Sequence, residues 1–288
     1  MTIRVELTAD GRTSLAWTDR LAEAFEEGGN PVSCYEIDEA ADRWVVEILI
    51  FEGEPSAAAK LVAETLGVDP ANVTAAPLPD LDWVAESLKG LKPVRAGRFL
   101  VHGRHDRASV RASDLAIEIE ANQAFGTGHH GTTAGCLEIL SELAKGRTCR
   151  NALDLGCGSG VLAIGMARLF PARVLATDID PVAVRIAGEN CRLNGVHGRV
   201  ATATAAGLSH PQIAARKPFD LIVANILARP LLGLARAIEA HLSTDGTLVL
   251  SGLRPSDRRR IVARYRAAGL KLADTHLRDG WLTLTFER

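Results

Sequence analysis

From residue 151 to residue 268 the chain alternates short apolar runs with stretches of helical spacing, and this alternation constrains the fold more than any other feature. The runs at 152–155, 174–177, 221–224 and 247–250 precede segments with apolar residues three and four apart, at 161–169, 182–194, 231–241 and 256–268. Strands joined through a helix run parallel, because the helix carries the chain back across the sheet. A parallel, doubly wound α/β sheet is therefore expected. The order breaks at the end: runs at 270–276 and 281–286 flank Arg278-Asp279-Gly280, a hairpin turn signal, and predict an antiparallel pair closing the sheet.

The first 78 residues have a different rhythm. Ile3, Val5 and Leu7 alternate with polar neighbours as in a half-buried strand, and residues 15–25 carry apolar side chains at helical spacing. Runs at 32–37 and 44–51, a helix at 56–66 ended by Gly67 and a short run at 72–76 complete a β-α-β-β-α-β order. That order predicts a smaller amino-terminal α+β ferredoxin-like domain, a scaffold that serves either packing or recognition of a partner. Pro77, Pro79 and Pro93 bound a segment in which residues 80–88 read as one aspartate-capped helix, so 79–95 is expected to be a linker helix and 96–288 a second domain. Within the latter, strands at 99–101 and 115–119 lead into a glycine-rich loop at 124–133.

Composition agrees with two cores: 288 residues, 47% hydrophobic and 24% charged. A net charge of −2 gives the whole molecule no field to draw it onto nucleic acid or anionic lipid, so neither a direct nucleic-acid partner nor a membrane is expected. The five cysteines are odd in number and have no CxxC spacing, which suits small buried hydrophobes in a reducing compartment. The opening MTIRVELTADGRT has no apolar signal core and no later stretch reaches membrane-spanning length, so the expected location is cytoplasmic.

Chemistry concentrates where strands end. Asp154-Leu155-Gly156-Cys157-Gly158-Ser159-Gly160 runs from a strand through three alternate glycines into a helix, a turn whose bare backbone can touch a ligand. Gly158 to Ala163 also fits the dinucleotide fingerprint, so a nicotinamide cofactor competes with S-adenosylmethionine. Asp154 breaks the tie: a carboxylate two residues before the first glycine repels a pyrophosphate but complements an amino group and a sulfonium. Asp178 ends the next strand where ribose hydroxyls would lie, and Asp180 before Pro181 reads as a helix cap. Asn225 ends the strand at 221–224 and is the candidate catalytic residue. Its neutral carbonyl can orient an amine without the preference for ammonium that a carboxylate imposes. The competing role for Asn225 is capping the next helix. Adjacent His129 and His130 lack a third ligand and point to turn chemistry or substrate contact; no metal is called for.

Together AFGTGHHGTT, LDLGCGSGVLAI, ATDIDPVAV and VANILARPL resemble, in order and spacing over residues 85–288, the PrmA methyltransferases that modify ribosomal protein eleven of the large subunit. The loop has His129 and Gly131 where the commoner family form GTGTHPTT has threonine and proline. The resemblance implies a seven-stranded Rossmann-like methyltransferase sheet and contacts from Thr133, Gly156, Asp178 and Asn225 to S-adenosylmethionine. It also implies methylation of lysine ε-amines and an N-terminal α-amine on that ribosomal protein, gripped by the small first domain. Asp154, Gly158 and Gly160 complete the expected cofactor site. The cofactor motifs do not name the acceptor, so another protein's lysines or a small molecule stay open as substrates, as does an oxidoreductase or a non-catalytic nucleotide-binding module.

Overall fold

In the computed structural model the described residues are 2–25, 29–38, 41–51, 53–77, 93–119 and 131–288. The helix expected at 80–88 and the loop at 124–130, with His129 and His130, lie outside them. The chain divides into two compact units, Met1–Leu81 and Asp82–Arg288.

In the first unit β1 (Ile3–Ala9), α1 (Gly11–Ala24), β2 (Val32–Asp38), β3 (Arg43–Ile50), α2 (Pro55–Leu66) and β4 (Thr74–Pro77) follow in the expected order. The sheet is antiparallel, ordered β2-β3-β1-β4. Ile3, Val5 and Leu7 pack with Val46 and Ile48 against Leu21 of α1 and Val62 and Leu66 of α2, so both helices cover one face. Helix α1 starts at Gly11 rather than at residue 15 because Asp10 caps it, accepting from Thr13 N at 2.9 Å and Thr13 Oγ at 2.7 Å. Its inward stripe is Gly11, Ser14, Thr18 and Leu21, leaving Leu15 exposed. Thr18 is accommodated by donating to Ser14 O at 2.7 Å. Gly67 ends α2 at φ 72°, the left-handed conformation glycine adopts without a Cβ clash.

The second unit opens with β5 (Val94–Ala96), β6 (Phe99–His102) and β7 (Leu115–Glu118), a separate three-stranded sheet. The strand β5, with Ala96 buried in the core, begins inside the stretch expected as linker. Next come α3 (Gly131–Leu143), β8 (Asn151–Leu155), α4 (Val161–Leu169), β9 (Arg173–Asp178), α5 (Pro181–Leu193), β10 (Val200–Thr204), α6 (Pro211–Arg216), β11 (Phe219–Asn225), α7 (Ala228–His241), β12 (Leu242–Leu253), α8 (Arg258–Ala267), β13 (Lys271–Arg278) and β14 (Trp281–Glu287). Strands β10 and helix α6 carry no expectation from the sequence pattern.

These strands form a mixed sheet ordered β10-β9-β8-β11-β12-β14-β13, parallel from β10 to β12, with β14 antiparallel to both neighbours. Alternate residues of each strand serve two cores. Ala152, Val174 and Val223 join one with α3, α4 and α5, whereas Leu153, Leu175 and Ile222 join the other with α6, α7 and α8. Asp279 and Gly280 both have positive φ, 48° and 77°, making the two-residue β13–β14 turn whose twist matches the strands. Between β8 and β11 the chain order reverses, and ligands of open α/β sheets collect at the carboxyl ends of strands at such a point.

Candidate active site

Register brings the expected residues to one edge. Leu155 pairs with Thr177 and with Ala224, and Asn225 with Ser251, so the chain leaves β8, β9, β11 and β12 at one level. The glycine loop starts there. Gly156 and Cys157 both donate to Thr177 O, at 2.8 and 2.9 Å, and Gly158 donates to Asp178 Oδ2 at 2.8 Å. Gly156, Gly158 and Gly160 have φ of 77°, 51° and 82°. A Cβ at Gly156 would collide with Ile226, and one at Gly160 would stand 3.1 Å from Ala187 Cβ of α5. Gly160 thus answers to helix packing, whereas Gly156 and Gly158 shape the loop beneath the strand ends.

The geometry gives each acid a definite task. Asp178, partly exposed, accepts from Gly158 and, at 3.1 Å, from Asp180 N, so it holds the loop as well as facing the edge. Asp180 is the cap of α5, accepting from Val182 N at 2.8 Å ahead of Pro181. Asp154 is wholly buried. Its Oδ2 accepts from Ala163 N in the first turn of α4 at 2.8 Å, a turn whose Gly160 cap has no side chain to offer. Its Oδ1 is buried with no hydrogen-bond partner among the described residues. Burial pushes the Asp154 carboxyl up to about 7; the Ala163 N–H opposes the rise and the nearby Asp178 charge adds to it.

Asn225, half-buried at the end of β11, donates its amide to Thr133 Oγ at 3.3 Å and to Thr132 Oγ at 3.4 Å, both in the first turn of α3. Helix α7 begins after Leu227 without a side-chain cap, so the observed bonds of Asn225 run to α3 rather than to the following helix. Thr132 and Thr133 are buried, and their turn is anchored again by Ser251, which donates to Thr132 O at 3.2 Å and lies 3.1 Å from Thr283 Oγ. Sequence reasoning missed Ser251. Its signal was a lone hydroxyl ending the apolar run of β12, in register with Asn225.

Among the described residues no group of three His, Cys, Asp or Glu side chains is placed to hold a metal. Burial pushes the thiols of Cys136, Cys149 and Cys191 up to about 12, so they stay protonated at neutral pH. A groove of about 530 Å³ among Arg147, Cys149, Asp220 and Thr247 lies at the opposite sheet edge. Its Asp220 is committed to Arg150 N and Asn151 N, at 2.9 and 3.0 Å, which leaves the carboxyl edge as the better candidate.

The family model for ribosomal protein L11 methyltransferase (PrmA) matches residues 29–288. A protein of that name from Chelativorans sp. (strain BNC1) is 49% identical over 288 residues, covering 99% of each chain. Another, from Rhizobium etli (strain CIAT 652), is 48% identical over 272 residues, covering 94% of this chain and 93% of its own. The crystal structure of a ribosomal protein L11 methylase from Lactobacillus delbrueckii subsp. bulgaricus superposes with a TM-score of 0.62 at 28% identity, covering 69% of this chain and 99% of its own. The chain therefore has an α/β methyltransferase fold and belongs to the ribosomal protein L11 methyltransferase (PrmA) family.

Proposed function

We propose that this chain methylates L11 with S-adenosylmethionine, at lysine ε-amines and at the N-terminal α-amine, in the cytoplasm. The observation that carries the reading is Asn225: its amide nitrogen is tied down by Thr132 and Thr133, while its carbonyl oxygen accepts from none of the described residues. A lysine is only about one part in 10³ neutral at pH 7, so a site for it must favour the free amine. The Asn225 carbonyl accepts an N–H from that amine and fixes the direction of its lone pair, without stabilising the ammonium as a carboxylate would.

The residues fit the cofactor. The unmatched Oδ1 of Asp154 is a buried acceptor suited to a cationic group, directly or through water. Backbone at Gly156 and Gly158 and the carboxylate of Asp178 offer a cradle for the nucleoside, with Thr133 beside Asn225 and Gly160 holding the loop against α5. When bound, S-adenosylmethionine supplies a methyl group activated by its sulfonium. The protein's part is alignment and exclusion of water.

The finer architecture belongs to the same proposal: a doubly wound, Rossmann-like methyltransferase domain at 96–288, a linker at 79–95 and a ferredoxin-like recognition domain at 1–78. Asn225→Ala tests the central residue. Adenosylhomocysteine affinity should change less than threefold, by calorimetry, while methyl transfer falls by at least a hundredfold. Asn225→Asp should regain part of its rate as pH rises, because a carboxylate raises the acceptor's pKa. Near-normal turnover of Asn225→Ala would return Asn225 to a structural part.

A further inference from the structure

The near-neutral total charge conceals a strongly basic face. Helix α7 and residues 254–267, which include α8, hold eight arginines, no lysine and two carboxylates, leaving 25 basic against 33 acidic residues for the rest of the chain. Both carboxylates are already neutralised: Asp257 by Arg260 at 2.6 Å and Glu239 by Arg288 at 2.9 Å. Arg229, Arg236, Arg258, Arg259 and Arg266 are exposed, and none of their side chains has an ion-pair or hydrogen-bond partner among the described residues.

The spacing aligns these charges. Arg229, Gly233 and Arg236 recur at i, i+4 and i+7 on α7, and Arg259, Ala263 and Arg266 do so on α8, so each set occupies one helix face. The helices are fastened side by side by Arg264 Nε donating to Leu232 O and Tyr265 Oη donating to Leu231 O, both at 2.9 Å. Arg229 stands four residues beyond Asn225, and Arg258 and Arg259 open α8, so the basic face starts beside the candidate active site.

We propose that this face binds the phosphate backbone of RNA. Arginine is the cation whose planar fork matches phosphate oxygens in pairs. Between Arg229 and Arg236, and between Arg259 and Arg266, the exposed non-basic residues are Pro230, Gly233 and Ala263, and the nearest exposed large hydrophobic is Leu227 ahead of α7, so the helix faces themselves carry no aromatic or long aliphatic anchor of the kind protein interfaces and membrane-inserting helices use. RNA is the polyanion chosen because the proposed substrate is a ribosomal protein, and the inference rests on that reading to this extent. The enzyme would hold RNA next to the acceptor protein, raising the local concentration of acceptor amines.

The test is fluorescence anisotropy of the full chain with a labelled single-stranded RNA of mixed sequence, without cofactor or acceptor, so that it is independent of methyl transfer. If all five arginines each neutralise one phosphate, log affinity should fall against log salt with a slope of about −3.5, roughly a hundredfold loss between about 50 and 200 mM. The double variant Arg259→Gln with Arg266→Gln should bring the slope to about −2 while leaving melting temperature and adenosylhomocysteine affinity unchanged. RNA binding that is absent at about 50 mM salt, or whose slope the double variant leaves unchanged, overturns the proposal. Tighter binding to phosphatidylglycerol vesicles than to RNA at equal phosphate concentration does the same, assigning the face to membranes instead.

Discussion

Asp154 is the residue at which the candidate site and its surroundings conflict most. A carboxylate with one oxygen buried and unmatched holds its proton up to about pH 7, well above the ordinary value of 3.8. The folded chain therefore binds that proton more tightly than the unfolded chain, and this group's contribution to stability falls as pH rises from about 4 through about 7. Asp154→Asn, which keeps an acceptor for Ala163 N, should flatten that part of the melting curve against pH. A cationic group beside Asp154, such as the α-ammonium that adenosylhomocysteine shares with S-adenosylmethionine, has the opposite effect, because it favours the ionised form. Adenosylhomocysteine should accordingly bind about tenfold more weakly at pH 6 than at pH 8, and the variant should lose this dependence. Equal pH profiles for the two proteins, by calorimetry, would remove Asp154 from the cofactor site. The sequence made Asp154, Asp178 and Asn225 visible because each is a polar residue in the last two positions of an apolar strand. It could not show that Asn225 is held by Thr132 and Thr133, or Thr132 by Ser251, since those bonds link residues 92, 93 and 119 positions apart.

At the scale of elements, legibility followed the strength of local signals. Helices α4 and α5 and the closing hairpin were clear from apolar period, Pro181 and Asp279-Gly280. Strand β10, Val-Ala-Thr-Ala-Thr at the sheet edge, has too little apolar contrast, and α6 at six residues is too short to display a helical period. In α1 the helix lies where the spacing puts it, but it starts four residues earlier: the capped start at Asp10 sets the phase, Ser14 and Thr18 face inward and Leu15 is left to solvent. The hairpin also packs tightly on α3, which carries Thr132 and Thr133 of the candidate site, since a Cβ at Gly131 would meet Arg278 O at 2.9 Å and Asp279 Cβ at 3.0 Å. Gly280→Val should lower stability by about 1–2 kcal/mol, the strain of a branched residue in left-handed conformation. Urea denaturation at constant m-value measures it; an unchanged midpoint would mean that the turn relaxes freely.

For the whole molecule, the proposed function gives the two compact units different tasks. Gly156, Asp178, Asn225 and their partners all lie within residues 82–288, and each unit has its own buried cluster. A chain beginning at Pro79 should fold and bind adenosylhomocysteine within about threefold of full length, yet lose most methylation of L11. A flexible lysine contributes little binding energy, so docking of the rest of its protein must supply orientation. Undiminished methylation by the shortened chain would take recognition away from the first unit, and failure to fold would move the boundary. The central claim is methyl transfer to amines of L11, and the intact mass of L11 after incubation with this enzyme and S-adenosylmethionine tests it most directly. The expected result is a ladder of one-methylene increments mapping to lysine side chains and the amino terminus. An unchanged L11 mass, with adenosylhomocysteine binding intact, would contradict it.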